Sequence, residues 1–140
     1  MSAVVDASLV SRALIGSQLA APAIDLLDGM RLRGETLMAP THMRVEFVAA
    51  LRHLERRGRL DQAASDSVLT LLDALLIEYR WEAGWVDAAF QLARRFGVTV
   101  YDAVYLACAE AYDFPLFTCD AAFVASLGGD ARDRVSLVVA

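Results

Sequence analysis

Short apolar segments alternate with longer amphipathic segments along the whole chain of 140 residues, and two of the apolar segments end near an aspartate. The first apolar segment, Ala3–Asp6, ends on an aspartate, and Pro115–Thr118 is followed closely by Asp120. Strands that helices cover on both faces have such uninterrupted apolar runs. The alternation therefore predicts an α/β fold with a parallel sheet between two layers of helices.

The boundaries of the elements follow from periodicity, cap residues and glycines. The predicted strands are Ala3–Asp6, Thr36–Ala39, Leu76–Trp81, Pro115–Thr118 and Val135–Val139. The predicted helices are Ser8 to Ile15, Ala20 to Leu32, Thr41 to about Arg57, one that follows the cap Asp61, Trp85 to Phe96, an almost wholly apolar one from Tyr101 to Ala109, and Asp120 to Ala125. Ser8 and Thr41 are expected to cap their helices through their hydroxyl groups.

Length and composition indicate a single domain, residues 1–140, that buries a sizeable core. No window approaches 18 uncharged apolar residues, so no membrane span is expected. The N-terminus has no basic region followed by a cleavable apolar stretch, and a cytoplasmic location is the default expectation. The formal net charge of −5 argues against broad nonspecific binding of nucleic acid, but it is compatible with a nuclease whose site carboxylates supply part of that charge.

Four acidic residues lie at element boundaries or beside apolar faces: Asp6, Glu46, Asp102 and Asp120. Carboxylates are rarely placed so near a core unless something cationic meets them. In an open parallel sheet, residues at the carboxyl ends of the strands converge on one crevice. Four hard oxygen ligands converging there predict a Mg²⁺ or Mn²⁺ site and hence phosphoryl chemistry.

Each of these residues is assigned a role in this hypothesis. Direct or water-mediated metal ligands would be Asp6, Asp102 and Asp120. Glu46 would complete the shell or orient the attacking water. Ser8 and Thr118 flank the acids closely enough to bond a phosphate oxygen or a metal-bound water.

Each acid also has an ordinary structural explanation. Asp6 and Asp120 can be turn or helix-cap residues, and Asp102 can be a first-turn acid favoured by the helix dipole. Glu46 can pair with Arg44 or His53 at the surface. A role in catalysis becomes the better interpretation only when the four are considered jointly, in this order of strands and helices.

Four segments of the chain resemble the motif blocks of PIN-domain ribonucleases, in matching order and spacing. They are Val4-Val5-Asp6-Ala7-Ser8, Arg44-Val45-Glu46-Phe47, Tyr101-Asp102-Ala103-Val104-Tyr105-Leu106-Ala107 and Leu116-Phe117-Thr118-Cys119-Asp120. Among these enzymes the chain most resembles the VapC toxins of bacterial toxin–antitoxin pairs. The resemblance implies a three-layer PIN-like fold with about five parallel strands, an acidic Mg²⁺ or Mn²⁺ site, endonucleolytic RNA cleavage, homodimerisation and neutralisation by a small cognate antitoxin.

One departure from that pattern concerns the metal stoichiometry. Many relatives carry a further acid or polar residue shortly after the fourth motif acid, whereas Ala121, Ala122 and Phe123 follow Asp120 here. One tightly held ion, with a second recruited only by substrate, is therefore the expectation.

Other function classes fit less well. A haloacid-dehalogenase-type phosphatase needs a second aspartate two residues after Asp6, where this chain has Ser8, and it needs a lysine, which this chain lacks. A receiver domain fails for the same reasons. The remaining alternative is a PIN-fold module that binds RNA or a protein without catalysis.

Basic and apolar residues suggest where partners bind. Arg12 lies one turn beyond Ser8 and could contact RNA or an acidic residue of the antitoxin, and Arg52 and Arg56 could guide RNA phosphates toward the acids. The antitoxin is expected to lay an amphipathic helix in an apolar groove and to bring a basic side chain to the carboxylates. Such a groove would be lined by Leu51, Leu54, Leu69 and Leu72.

Overall fold

A sheet of five short strands lies at the centre of the protein, and the computed structural model describes residues 2–16 and 19–139. The strands are β1 (Ala3–Val5), β2 (Leu37–Pro40), β3 (Glu78–Arg80), β4 (Leu116–Thr118) and β5 (Val135–Leu137). The helices are α1 (Ala7–Leu14), α2 (Ala21–Leu32), α3 (His42–Arg56), α4 (Gln62–Ala74), α5 (Gly84–Phe96), α6 (Val100–Tyr112), α7 (Ala121–Ser126) and α8 (Gly129–Arg134).

The order of the strands determines where a site can form. They pair in the order β3-β2-β1-β4-β5, and every pair is parallel. The chain leaves β1 toward β2 on one side and later returns to β4 on the other, so the direction of winding reverses between β1 and β4. In open parallel sheets, ligands bind in the crevice beyond the carboxyl ends of the strands at such a reversal.

Helices cover both faces of the sheet. Because crossovers between parallel strands are right-handed, α1 to α4 lie on one face, and α5 and α6 return over the other. The packing agrees, since α1 contacts α2, α3 and α4, whereas α6 contacts α5 and the strands β1, β2 and β4. The predicted three-layer α/β fold with a parallel five-stranded sheet is confirmed.

Helix α6 is the apolar helix of the sequence analysis, and it is buried from Ala103 to Ala109. It fills the space between the sheet and α5. Since α6 leads directly into β4, it runs antiparallel to the strands and begins at their carboxyl edge. Its first turn, which contains Asp102, therefore lies at the same edge as the ends of β1 and β4. No helix within the described ranges is both long and apolar enough to cross a bilayer.

The cap of α1 differs from the sequence expectation. Asp6 is the N-cap, and its Oδ1 accepts a hydrogen bond from the Leu9 N–H at 3.0 Å. Ser8, which was expected to cap this helix, lies inside its first turn. A side chain that precedes the helix can reach the free N–H groups of the first turn, whereas Ser8 already has helical backbone geometry.

The structure differs from the sequence prediction at one more cap and at one more helix. Thr41 makes no side-chain cap, and its hydroxyl donates to the Arg80 carbonyl at 3.3 Å, which ties the end of β2 to the end of β3. Helix α8 was missed, because its six residues contain only one buried side chain, Ala131, and so show no apolar periodicity.

The prediction that Leu51, Leu54, Leu69 and Leu72 line an apolar groove for an antitoxin is also wrong. Leu51, Leu54 and Leu72 are 3%, 6% and 1% exposed and belong to the core, and Leu69 is packed against that core. The helical period that identified these leucines marks the buried faces of α3 and α4, which pack on each other and on α1. The exposed leucines of this region are Leu71 and Leu76.

Candidate active site at the carboxyl edge of the sheet

Asp6 is the most deeply buried carboxylate of the site, with 7% of the residue exposed. It directly follows the central strand β1. Its Oδ1 accepts from the Leu9 N–H and, at 2.7 Å, from the Ser8 hydroxyl, and its Oδ2 accepts from the Thr118 hydroxyl. Asp6 is therefore anchored through both oxygens by neutral donors.

These neutral donors do not offset the burial of Asp6. Burial raises the pKa of Asp6 to about 6, although the hydrogen bonds from Thr118, Leu9 and Ser8 act in the opposite direction, and the nearby carboxylate of Asp102 raises it further. The charged form of Asp6 is thus less stable here than in an exposed aspartate, and a cation bound beside it would favour that form.

Ser8 and Thr118 join the ends of β1 and β4 through their hydroxyl groups. The Ser8 Oγ accepts from the Cys119 N–H at 3.0 Å, and the Thr118 Oγ1 accepts from the Asp120 N–H at 3.0 Å. The two hydroxyl oxygens are 3.1 Å apart. Both predicted supporting residues are thus at the site, but their contacts are with Asp6 and with the backbone that leads to Asp120.

Asp120 and Asp102 lie at the starts of two further helices at this edge. Asp120 caps α7, and its Oδ1 accepts from the Phe123 N–H at 3.0 Å. The first turn of α6 holds Asp102, whose N–H donates to the Thr99 hydroxyl at 3.1 Å. Burial raises the pKa of Asp102, and the carboxylates of Asp120 and Glu46 raise it further. The predicted acids are therefore close enough to interact electrostatically.

Glu46 is held by two side chains that the sequence analysis did not identify as functional. The Tyr105 hydroxyl donates to Glu46 Oε1 at 2.7 Å, and His42 Nε2 lies 3.2 Å from the same oxygen. Burial acts to raise the pKa of Glu46, but the hydrogen bonds with His42 and Tyr105 outweigh it and leave that pKa lowered.

The surface pairs considered for Glu46 do not form. Arg44 donates instead to Asp73 at 2.8 Å and so links α3 to α4. His42 was missed because it precedes Glu46 by four residues on the same helix, a spacing that is equally common among surface residues. Tyr105 was missed because it lies within an apolar run, where a tyrosine is most simply explained by packing.

A cleft of about 380 Å³ lies at this edge of the sheet and is lined in part by Ser8, Arg12, Glu46 and Asp120, whereas Asp6 and Asp102 are not among the residues that line it. Arg12 is the only basic residue among those that line this cleft in the described ranges. Arg52 and Arg56 are not part of it. They lie on the same helix as Glu46, about 9 and 15 Å further along at 1.5 Å per residue, and Arg52 pairs with Glu55.

A larger cavity of about 590 Å³ lies at the β3 edge of the sheet and is lined in part by Glu78, Arg80 and Trp81. Its carboxylate Glu78 pairs with Arg80 at 3.3 Å. A second carboxylate, Glu82, also lines this cavity, but none of the four acids at the carboxyl edge of the sheet does. The smaller cleft, which Glu46 and Asp120 line, is therefore the better candidate for phosphoryl chemistry.

The chemistry of the donor set fits a hard divalent cation, because carboxylate oxygens are the ligands that Mg²⁺ and Mn²⁺ prefer. In the part of the chain that the structure describes, however, no three His, Cys, Asp or Glu side chains are arranged to hold one ion together. The acids influence one another's pKa values but do not share a preformed shell. Binding of an ion would therefore require these side chains to move closer together.

Asp6→Asn is expected to stabilise the metal-free protein at neutral pH. Because the raised pKa makes the folded state bind a proton more tightly than the unfolded chain, this group contributes most to stability below about pH 4, and its contribution is lost as the pH rises toward 6. Asparagine has no charge to desolvate, so the free energy of unfolding at pH 7 should rise by on the order of 2 kcal/mol. Urea unfolding from pH 4 to 7 with a chelator measures this.

The matched control for this experiment is Asp66→Asn, which changes an exposed aspartate on α4. It should leave the pH dependence of the free energy of unfolding as it is in the unmodified protein. If Asp6→Asn also kept that dependence, the assignment of the raised pKa to Asp6 would be wrong.

Comparison with known proteins agrees with this geometry. The family model for the PIN domain matches residues 3–125. Ribonuclease VapC12 of Mycobacterium tuberculosis is 36% identical over 103 residues, which are 73% of this chain and 78% of that protein.

Two solved structures share the fold. The protein PAE2754 from Pyrobaculum aerophilum superposes with a TM-score of 0.70 and 25% identity over 92% of this chain and 81% of that one. A toxin–antitoxin complex from Klebsiella pneumoniae superposes with a TM-score of 0.57 and 12% identity over 96% and 95%. The match to the family model over most of the chain and the identity to VapC12 together establish that this chain belongs to the PIN-domain family.

Proposed function

We propose that this chain is a metal-dependent endoribonuclease and the toxin of a toxin–antitoxin pair. The observation that carries the proposal is the position of Asp6, Asp102 and Asp120, with Glu46 beside them, beyond the carboxyl ends of β1 and β4. These acids come from four different parts of the chain. The carboxylate of Asp102 raises the pKa of Asp6, and those of Asp120 and Glu46 raise the pKa of Asp102. The identity to a named ribonuclease, VapC12, supports RNA as the substrate.

Asp6, Asp102 and Asp120 are the proposed ligands of the ion, which is Mg²⁺ or Mn²⁺. When bound, such an ion lowers the pKa of a water molecule and offsets the negative charge of the phosphate. Glu46 remains ionised at neutral pH because its pKa is lowered, so it can accept a hydrogen bond from the attacking water and orient it. Ser8 and Thr118 keep Asp6 in place through their hydrogen bonds.

One tightly held ion is the proposed stoichiometry. The residues after Asp120 add no further donor, since Ala121 and Ala122 are apolar and Phe123 is buried in the core. A second ion would then need ligands from the RNA itself. Arg12, exposed at the rim of the cleft, is the proposed contact for an RNA phosphate.

The toxin assignment brings further proposals with it. Residues 1–140 would act as one PIN domain in the cytoplasm, where cellular RNA is available, and would form a homodimer. A cognate antitoxin would bring a basic side chain to the carboxylates. The toxin–antitoxin complex from Klebsiella pneumoniae shares this fold and motivates the proposal of such a partner. Exposed apolar residues such as Leu71 and Leu76 are the kind of surface that a partner chain covers.

Asp102→Asn should abolish RNA cleavage while leaving the protein folded. The amide keeps the shape of the side chain but cannot supply the negative charge that holds a divalent ion. The measurement is cleavage of total RNA with Mn²⁺ or Mg²⁺, with the cut ends mapped, and circular dichroism to confirm the fold. A loss of at least about 100-fold in rate is expected, in line with other changes that remove electrostatic stabilisation from an active site.

Asp87→Asn is the matched control, since Asp87 is also in the first turn of a helix but is exposed on α5. It should cleave at the rate of the unmodified protein. Cleavage by Asp102→Asn at that same rate would remove Asp102 from the site. If the unmodified protein cut no RNA with either ion, the binding module without catalysis would become the better interpretation.

Expression of this chain alone in a bacterial host should arrest growth, because an open ribonuclease site degrades RNA that the cell needs. Co-expression with the proposed antitoxin should restore growth, and Asp102→Asn should grow normally in both cases. Culture density and colony counts over several hours measure the growth of each strain. Normal growth with active soluble protein present would refute the toxin assignment and leave the nuclease assignment standing.

A further inference from the structure

Glu46 Oε1 is engaged twice by side chains from two different helices. The Tyr105 hydroxyl, from α6, lies 2.7 Å from it, and His42 Nε2, from the first turn of α3, lies 3.2 Å from it. Within residues 2–16 and 19–139, both contacts of the Glu46 carboxylate are made to Oε1, and no hydrogen bond to Oε2 is present. The two oxygens of this carboxylate therefore have different surroundings.

From this asymmetry we infer that Tyr105 and His42 are positioning residues, which fix Glu46 through Oε1 so that Oε2 is the oxygen presented to the reaction. The inference rests on the proposed nuclease function and assigns different roles to the two oxygens of Glu46. Neither Tyr105 nor His42 would touch the RNA or the ion. Both would act only through Glu46.

Tyr105 can only be the donor in its bond to Glu46, because an ionised carboxylate has no proton to give. The tyrosine is 2% exposed, and burial raises the pKa of its hydroxyl, as does the neighbouring charge of Glu46. The hydroxyl consequently keeps its proton at any pH at which an RNA-cleaving enzyme works. A buried bond to a charged acceptor is also among the stronger hydrogen bonds in proteins.

His42 is fixed by two acceptors at one nitrogen. Its Nε2 lies 3.0 Å from the Tyr101 carbonyl oxygen as well as 3.2 Å from Glu46 Oε1. Since both neighbours can only accept, Nε2 must carry the proton. The imidazole also packs at 4.6 Å between ring centroids against Tyr105, so the two residues that hold Glu46 support each other.

This network connects two of the helices that carry the site acids. Tyr101 is the residue before Asp102, and its carbonyl is bonded by the histidine that also holds Glu46. A change at Tyr105 or His42 would therefore alter how Glu46 on α3 faces Asp102 on α6. In comparable sites, loss of a partner that orients a ligand or base lowers affinity or activity by 10–100-fold.

The experiment removes the hydroxyl with Tyr105→Phe, which keeps the ring and its packing. Rate constants for RNA cleavage should show a fall in kcat of about 10–100-fold with KM for RNA unchanged. In the metal-free protein, carbon-13 NMR of the Glu46 carboxyl should show its pKa raised toward the ordinary value, because a donor to the charged form has been lost. Equal kcat and an unmoved Glu46 pKa would overturn the inference.

His42 gives a second, independent variant pair. His42→Leu removes the donor and should lower kcat, whereas His42→Gln keeps an N–H donor at similar reach and should restore most of it. If both variants lost activity equally, the role of His42 would be packing alone, and the inference for this residue would be wrong.

A double variant separates positioning from general damage to the fold. In a Glu46→Gln background, Tyr105→Phe should change kcat by less than about twofold, since the residue through which it acts has already lost its charge. A full additional loss would contradict action through Glu46. Tyr112→Phe, at the other end of α6, is the control for removing a tyrosine hydroxyl from this helix and should cleave like the unmodified protein.

Measuring RNA cleavage by the unmodified protein separates a failure of this inference from a failure of the proposed function. If the unmodified protein cleaves RNA and Tyr105→Phe cleaves equally well, the inference fails and the nuclease function stands. If the unmodified protein does not cleave RNA, the proposed function fails, and the NMR measurement still tests whether Tyr105 holds Glu46.

Discussion

The burial of the Asp6 carboxylate at the end of the central strand is the constraint on which the rest of this site depends. A charge in that position is unfavourable, and burial raises the pKa of Asp6 to about 6 even with three hydrogen-bond donors around it. The fold accepts this cost at the carboxyl ends of the paired strands β1 and β4, next to a cleft lined in part by Glu46 and Asp120. A divalent cation in that cleft would relieve the cost and would also be the agent of phosphoryl chemistry.

The site then divides into two hydrogen-bonded groups with different purposes. Around Asp6, the hydroxyls of Ser8 and Thr118 bind both the carboxylate and the backbone before Asp120, and so they fix the spacing of two acids. Around Glu46, a tyrosine and a histidine engage a single oxygen. The first group leaves its carboxylate with a raised pKa and the second leaves its carboxylate with a lowered one. Two carboxylates whose environments move their pKa values apart are suited to different roles in one reaction.

Sequence patterns were sufficient for the fold, and they selected four acids that the structure places at one edge of the sheet. Short, largely apolar runs predicted the five strands, two of which end near an aspartate. The parallel arrangement then predicted that the carboxyl ends of the strands meet, without any knowledge of side-chain contacts. The pattern failed where several structural explanations fit one residue type. Leucines on α3 and α4 have the period of a buried face, and that period does not distinguish a core from a partner groove, so Leu51, Leu54 and Leu72 were placed wrongly.

Contacts between distant segments were the other limit of the sequence. Tyr105 is 59 residues from Glu46, and nothing in an apolar helix marks one tyrosine as a hydrogen-bond donor to a remote carboxylate. Ser8 and Thr118 were recognised because they flank the acids. Their hydrogen bonds to the same carboxylate, Asp6, could not be predicted, because the two residues are 110 positions apart in the sequence. The short helix α8 was missed because it turns so little apolar surface toward the core.

The central claim is that Asp6, Asp102 and Asp120 bind one divalent ion. Anomalous diffraction from crystals grown with Mn²⁺ tests it most directly, because manganese scatters anomalously and carboxylate oxygens do not. We expect a single strong peak beside Asp6, about 2.0–2.6 Å from oxygens of at least two of these carboxylates. A well-ordered site without such a peak, in protein that cleaves RNA with Mn²⁺ under the same conditions, would show that these carboxylates do not bind the ion.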